Sequence, residues 1–274
     1  MNITISKTSL ILAASLTFLA ACDNIAEEDR YLEYDRPPVE RNIVIFEFTG
    51  QTCRNCPDGA SAVHNILESK GEQVFAVNLH PENTTYTRPL GNIRLTSPEA
   101  SFLYDYYQPQ GFPAACINGA APNSNPLLWG GFTNEALAMP APASLELTTE
   151  YNESSRELTI HYNTTFDVYS AYEILLQLYI VEDGIVGMQQ SMNGLIRDYV
   201  HNHVLRTTAF KDWGLTLGDT FAVHQQISGE VSLTLDDSWV ADNCSVVGCL
   251  IKESDKTFLQ TNGADITSDA NNAE

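Results

Sequence analysis

The chain has 274 residues, 43% of them hydrophobic, with 12 Pro and 16 Gly. That suits one large domain or two ordinary ones and argues against wholesale disorder. Charge is lopsided, with 35 Asp and Glu against 14 Lys and Arg and a formal net charge of −21. Such a surface repels phosphate backbones and anionic headgroups, which argues against nucleic acid and polybasic membrane contact.

Residues 1–21 read as a targeting segment. Lys7 is the sole charge before Asp23, and Leu10 to Leu19 reads LILAASLTFL. That run is too short to span a bilayer, which takes about 20 residues, but it suits the apolar region of a signal peptide. Leu19-Ala20-Ala21-Cys22 follows and resembles a bacterial lipoprotein cleavage site. The resemblance implies cleavage before Cys22, lipidation of its sulfur and acylation of the new amine. The alternative is an ordinary signal peptide cut near Ala21, with Cys22 a free thiol. No other segment approaches a membrane span, so the expected membrane attachment is through the lipid on Cys22 alone. Residues 22–41 are acidic and carry Pro37-Pro38, which forbid helix there. They read as a tether.

Residues 42–140 alternate strand and helix patterns. Asn42–Thr49 (NIVIFEFT) and Gln73–His80 (QVFAVNLH) are apolar runs of the buried-strand type. Between them, Ala60, Val63, Ile66 and Leu67 fall at helical spacing over 57–69. Residues 81–97 read as polar loop. Pro98 opens a second helix, Ala114–Ile117 is a short strand closed by the turn pair Asn118-Gly119, and Leu127–Ala138 forms a last helix. This order is an α/β unit. Pro140-Ala141-Pro142 marks a boundary, after which helical periodicity nearly disappears. Residues 143–262 hold strand-like runs at 144–151, 157–166, 172–181, 204–210, 221–235 and 246–252, as expected for a β-sandwich. Residues 263–274 read as a frayed acidic tail.

The six cysteines are too few for a disulfide-dense scaffold. Cys53 and Cys56 form a C-x-x-C just after a buried strand and at a helix start. A helix N-terminus favours a thiolate, so Cys53 is the expected nucleophile, with Cys56 one turn inward to resolve a mixed disulfide. Zinc is a competitor, but it needs four ligands and no second C-x-x-C exists. A structural disulfide is the other alternative for an exported chain. Cys116, Cys244 and Cys249 read as buried free thiols.

Two further positions point the same way. Residues 42–140 resemble thioredoxin-like proteins, in which a buried carboxylate lies six residues before the first cysteine and a cis-proline faces the pair. Glu47 and Pro113 (in Gly111-Phe112-Pro113) match them. The resemblance implies a proton relay at Glu47 and a substrate-strand clamp at Pro113. Thr52 replaces the usual Trp, and Arg54-Asn55 replaces Gly-Pro. The chain as a whole resembles the twenty-eight-kilodalton outer membrane protein family of Bacteroidota lipoproteins. The resemblance rests on the block Phe46–Pro57, on Val181-Glu182-Asp183, on His201-Asn202-His203-Val204-Leu205-Arg206 and on Phe258-Leu259-Gln260. It implies an α/β thioredoxin-like domain, then an all-β immunoglobulin-like sandwich, anchored at the outer membrane, with the cell surface as one possible face.

Some residues remain outside that scheme. His201 and His203, in strand alternation with Asp198 nearby, form a minimal metal set, against which packing is the plainer role. Tyr104, Tyr106 and Tyr107 either line a cleft or pack. No metal site or cofactor is expected. Two functions compete. One is thiol–disulfide exchange in the envelope with protein thiols or disulfides as partners. The other is non-enzymatic binding of a surface partner, with the thioredoxin-like unit as scaffold.

Overall fold

A computed structural model describes residues 39–82 and 84–266. The signal segment, Cys22 and nearly all of the expected tether lie outside them. Strand β1 (Ile43–Phe48) is buried along its whole length, because both of its faces are covered. Ile43 and Ile45 meet Val63 and Ile66 of helix α1 (Cys56–Lys70) and Trp129 of helix α3 (Pro126–Leu137). Val44, Phe46 and Phe48 meet Leu103 of helix α2 (Pro98–Tyr107) in a second core. The alternation of a strand puts Glu47 on the α1 side with the isoleucines. Strand β2 (Val74–Leu79) runs parallel to β1, and β3 (Ala114–Ile117) runs antiparallel on its other edge.

After Pro142 the described chain is nearly all strand: β4 (Ala143–Asn152), β5 (Glu157–Phe166), β6 (Ile174–Glu182), β7 (Ile185–Ser191), β8 (Gly194–His201), β9 (Val204–Thr208), β10 (Leu215–Gly218), β11 (Gln226–Thr234), β12 (Cys244–Lys252) and β13 (Phe258–Asp265). The main sheet has the order β13-β12-β6-β9-β2-β1-β3, and β10 also pairs with β6. It therefore runs through both halves of the sequence. The seam is narrow: Asn78 of β2 aligns with Val204 of β9, its N–H donates to the His203 carbonyl at 2.6 Å, and its Nδ2 donates to the Asn202 carbonyl at 2.9 Å.

Strand β6 explains how one sheet serves two cores. Ile174, Leu176, Leu178 and Ile180 face the three-stranded sheet β11-β5-β4, meeting Leu145, Leu158, Ile160 and Phe166. Leu175, Tyr179 and Val181 face the other way, into the core that holds Phe46 and Phe48. Cys244 and Cys249 of β12 divide between the two cores in the same manner, and they and Cys116 are free and buried.

Three expectations need revision. Residues 263–265 are not frayed: they complete β13, and Ile266 is buried; the rest of that tail lies outside the described residues. The run 221–235 is not one strand, since Phe221 bridges Ser170 and β11 starts only at Gln226. The segment 185–201, left without strands by its sequence, is a two-stranded hairpin, β7–β8, in its own sheet.

Candidate functional site

Beyond β1 the chain turns sharply at Gly50. A Cβ there would lie 2.2 Å from the Tyr86 carbonyl oxygen, so the approach tolerates only glycine. The Cys53 N–H donates back to the Gly50 carbonyl at 3.0 Å. Helix α1 begins at Cys56, with Asn55 at the N-cap and Pro57 in the first turn, where a missing N–H costs nothing. Cys53 and Cys56 form a disulfide. The expected placing of Cys53 at the helix start with Cys56 one turn inward is corrected: both are buried, 2% and 1% exposed, and Cys56, not Cys53, occupies the first position of the helix.

Two segments wrap the cysteine loop. From the expected polar loop 81–97, the Tyr86 carbonyl accepts from the Thr52 N–H at 2.9 Å and the Thr85 carbonyl accepts from Thr52 Oγ1 at 2.8 Å. From the hairpin, Gln189 Nε2 donates to the carbonyls of Gly50 at 3.1 Å and Cys53 at 3.0 Å. The Gln190 N–H donates to the Gln51 carbonyl at 2.8 Å, and Gln51 Nε2 donates to the Met188 carbonyl at 3.0 Å.

Glu47 and Pro113 meet beneath α1. The Phe112–Pro113 peptide bond is cis. A Cβ added at Gly59 would lie 2.6 Å from Glu47 Oε1 and 2.7 Å from Pro113 Cβ. Glycine is thus the residue that lets the first turn of α1 sit on both. Gly59 follows Cys56 by three positions, hence on the same helix face. Glu47 has no exposure, and neither carboxyl oxygen has a hydrogen-bond partner among the described residues. Burial in this apolar layer raises its pKa to about 8, so the carboxyl is mostly protonated at neutral pH. Tyr199 of β8 feels burial and the nearby Glu47 charge, and its hydroxyl is pushed up to about 12.

A cavity of about 350 Å³ opens between α1 and the hairpin, and Cys56, Asn78, His80, Gln189, Tyr199 and His201 line it. His80 and His201 are both buried, with ring centroids 6.1 Å apart. Burial lowers their pKa values to about 3 and about 4, His80 also feeling His201, so both rings are neutral at pH 7. His203 does not join them. It sits at φ +55° in the turn after β8, where strand alternation no longer holds, and its Nδ1 lies 3.1 Å from Asp183 Oδ1. The His201–His203–Asp198 grouping is therefore not assembled, and no three His, Cys, Asp or Glu among the described residues form a metal position.

The remaining residues pack. Arg206 pairs with Glu182 at 2.7 Å, and both are largely buried. Tyr104 and Tyr107 stand around Phe48, at centroid distances of 6.2 Å each, and Tyr104 also touches Phe112. Tyr106 sits against Trp213 at 4.7 Å. His80, Gln189 and Tyr199 were not legible as site residues. His80 ends a buried apolar run, which is a weak signal for a buried imidazole. Nothing near Gln189 in Val186-Gly187-Met188-Gln189-Gln190 marks it.

A family model for the outer membrane protein Omp28 matches residues 100–270, more than half of the chain. The chain belongs to the Omp28 family. This is the family indicated by the residue blocks above, and it assigns the protein to the outer membrane. No helix among the described residues is long and apolar enough to cross a membrane. The Omp28 match begins within α2 and leaves out the Cys53–Cys56 loop. Among solved structures, the chain is similar to HBP35 of Porphyromonas gingivalis, with 16% identity and a TM-score of 0.69 over 87% of this chain and 80% of that one. It is also similar to a domain of the outer membrane lipoprotein Omp28 of P. gingivalis, with 16% identity and a TM-score of 0.35 over 47% of this chain and 90% of that one. No curated protein sequence matches.

Proposed function

We propose that the protein is a lipid-anchored thiol–disulfide exchange protein of the outer membrane. In this reading Cys22 carries the lipid, residues 22–41 are the tether, 42–140 form a thioredoxin-like unit and 143–262 form an immunoglobulin-like sandwich joined to it through the main sheet. The observation that carries the reading is the convergence at Gly59: in the helix turn that starts at Cys56, a Cβ at Gly59 would meet both the Glu47 carboxyl, at 2.6 Å, and the cis-Pro113 ring, at 2.7 Å. Three distant sequence positions with complementary chemistry meet there.

The chemistry follows from the oxidised pair. A thiolate of a partner protein attacks Cys53 Sγ, the Cys53–Cys56 bond breaks, and Cys56 leaves as a thiolate. A protonated Glu47 under the same helix turn can supply the proton that this thiolate takes up. A second partner thiolate then attacks the partner sulfur of the mixed disulfide and releases Cys53. The partner gains a disulfide, and the pair gains two electrons. With a reduced pair the steps run in reverse.

A second reading, a surface-binding lipoprotein whose disulfide is only a staple, is favoured by the near-complete burial of both cysteines. Cys56→Ser separates the two. With the resolving sulfur gone, Cys53 should hold partners as mixed disulfides, seen as reducible bands in envelope extracts run without reductant. If no such adducts form while Cys53 remains alkylatable in the unfolded chain, the staple reading wins. Cys22→Ser should release the protein from the membrane fraction or leave it unprocessed. Unchanged partition and mobility would remove the anchor from the proposal.

A further inference from the structure

We infer that hairpin β7–β8 is a displaceable cover on the Cys53–Cys56 disulfide, and that Gln189 is the positioning residue that holds it shut. The inference deepens the exchange reading and takes its purpose from it, but its test does not depend on turnover.

The hairpin belongs to neither large sheet and pairs only with itself. Its inner edge is tied to the cysteine loop by polar contacts. Gln189, itself 3% exposed, spans two carbonyls of that loop, those of Gly50 and Cys53, with one amide nitrogen. Gln190 and Gln51 add two bonds beside it, and the exposed Arg54 reaches the Ser191 and Met192 carbonyls at 3.4 Å and 3.3 Å. The outward side is exposed, with Val186, Met192, Leu195 and Val200 in solvent. An element held by a short row of hydrogen bonds, with little apolar burial behind it, opens at lower free-energy cost than the core. The hairpin already engages the Gly50, Gln51 and Cys53 carbonyls of the cysteine loop, while residues 85 and 86 engage Thr52. With Cys53 2% exposed, displacement of the hairpin is the opening through which a partner would reach the disulfide.

The test uses the full chain in detergent and dithiothreitol as the probe. Samples are quenched with an alkylating agent over time, and the alkylated peptides are counted by mass spectrometry. When the pair is reduced, two electrons and two protons pass from dithiothreitol to Cys53 and Cys56, and dithiothreitol closes to its cyclic disulfide. Gln189→Met keeps the side chain's length and loses the two bonds to the cysteine loop, together with the one to the Gln190 carbonyl within the hairpin. Reduction should speed up by about tenfold or more, as expected when a local opening equilibrium loses two hydrogen bonds. A rate within twofold of the parent overturns the cover. Gln189→Met could instead act by unfolding, which would show as alkylation of the buried Cys116. Arg54→Ala then decides, since it touches only the hairpin tip: a faster reduction supports the cover, and an unchanged rate overturns it. If reduction accelerates while Cys56→Ser traps no partner, the cover stands and the exchange reading falls.

Discussion

Glu47 is a carboxyl in an apolar layer, and its proton has a stability consequence. Its folded pKa of about 8 lies above the usual 4.5, so the folded state holds the proton more tightly than the unfolded one. The stabilising difference is complete below about pH 4.5 and is lost as pH rises through 8. Glu47→Gln should flatten that decline, leaving the variant more stable at pH 9 by on the order of 3–5 kcal/mol; urea titrations at pH 5, 7 and 9 measure it. His80 and His201 act at the other end. Their folded pKa values of about 3 and about 4 lie below the usual 6.5, so stability is present above 6.5 and falls as pH drops through that window. His80→Asn should reduce the acid-side slope, measured as the change of urea midpoint between pH 7 and pH 4.5. Gly59→Ala would drive a methyl into Glu47 and Pro113 and should destabilise by about 1–3 kcal/mol. The cysteine pair could be picked out from its spacing, and Glu47 and Pro113 only because the resemblance to thioredoxin-like proteins marks their positions. His80 and Gln189 could not, because each acquires its role from a contact more than a hundred positions away, His80 with His201 and Gln189 with Cys53.

Elements built from nearly unbroken apolar runs were readable, and elements built from contact were not. Ile43–Phe48 and Ile174–Glu182 are buried on both faces and carry the nearly continuous hydrophobic pattern that such burial selects, interrupted at Glu47 and Gln177. Segment 185–201 lacks both that pattern and clean alternation, since one side lies on the polar backbone of the cysteine loop and the other faces water. Its Asn193-Gly194 is a turn pair in the sequence, with no strand pattern on either side of it. A similar debt to tertiary context holds β9 against β6. Arg206 Nε meets Glu182 Oε2 at 2.7 Å, and the Val240 N–H donates to the other carboxyl oxygen at 3.0 Å. Arg206→Met should leave Glu182 buried without its cation and cost about 3–5 kcal/mol. Glu182→Leu in the same chain should recover much of the loss. Urea unfolding of the single and double variants gives the comparison.

At the scale of the molecule, the boundary at Pro140–Pro142 separates two textures of sequence while the sheet runs across them. Arg41 donates to both the Pro140 and Phe258 carbonyls, Asn118 Nδ2 donates to the Phe258 carbonyl at 3.1 Å, and Gln260 bonds Asn42 and Glu40. Phe258 itself fills the core beside Phe46, with ring centroids 5.4 Å apart. A protease cut between residues 138 and 142 should therefore leave two fragments that co-elute in native gel filtration, and denaturant should unfold the chain in one transition. Two resolved transitions would mean that the halves are independently stable.

The path of the sheet also sets an order of events during export. A chain that crosses a membrane from its amino end delivers β1, β2 and the cysteine pair long before β9 and Phe258 arrive. Until then β2 presents an unpaired edge and Phe46 an unfilled neighbour, the kind of surface that aggregates. Cys53 and Cys56 also lack the hairpin's share of their cover during that interval, because residues 185–201 have not yet emerged. The nascent protein is thus the form in which its disulfide is easiest to make, and completion of the carboxyl-terminal strands closes that opportunity.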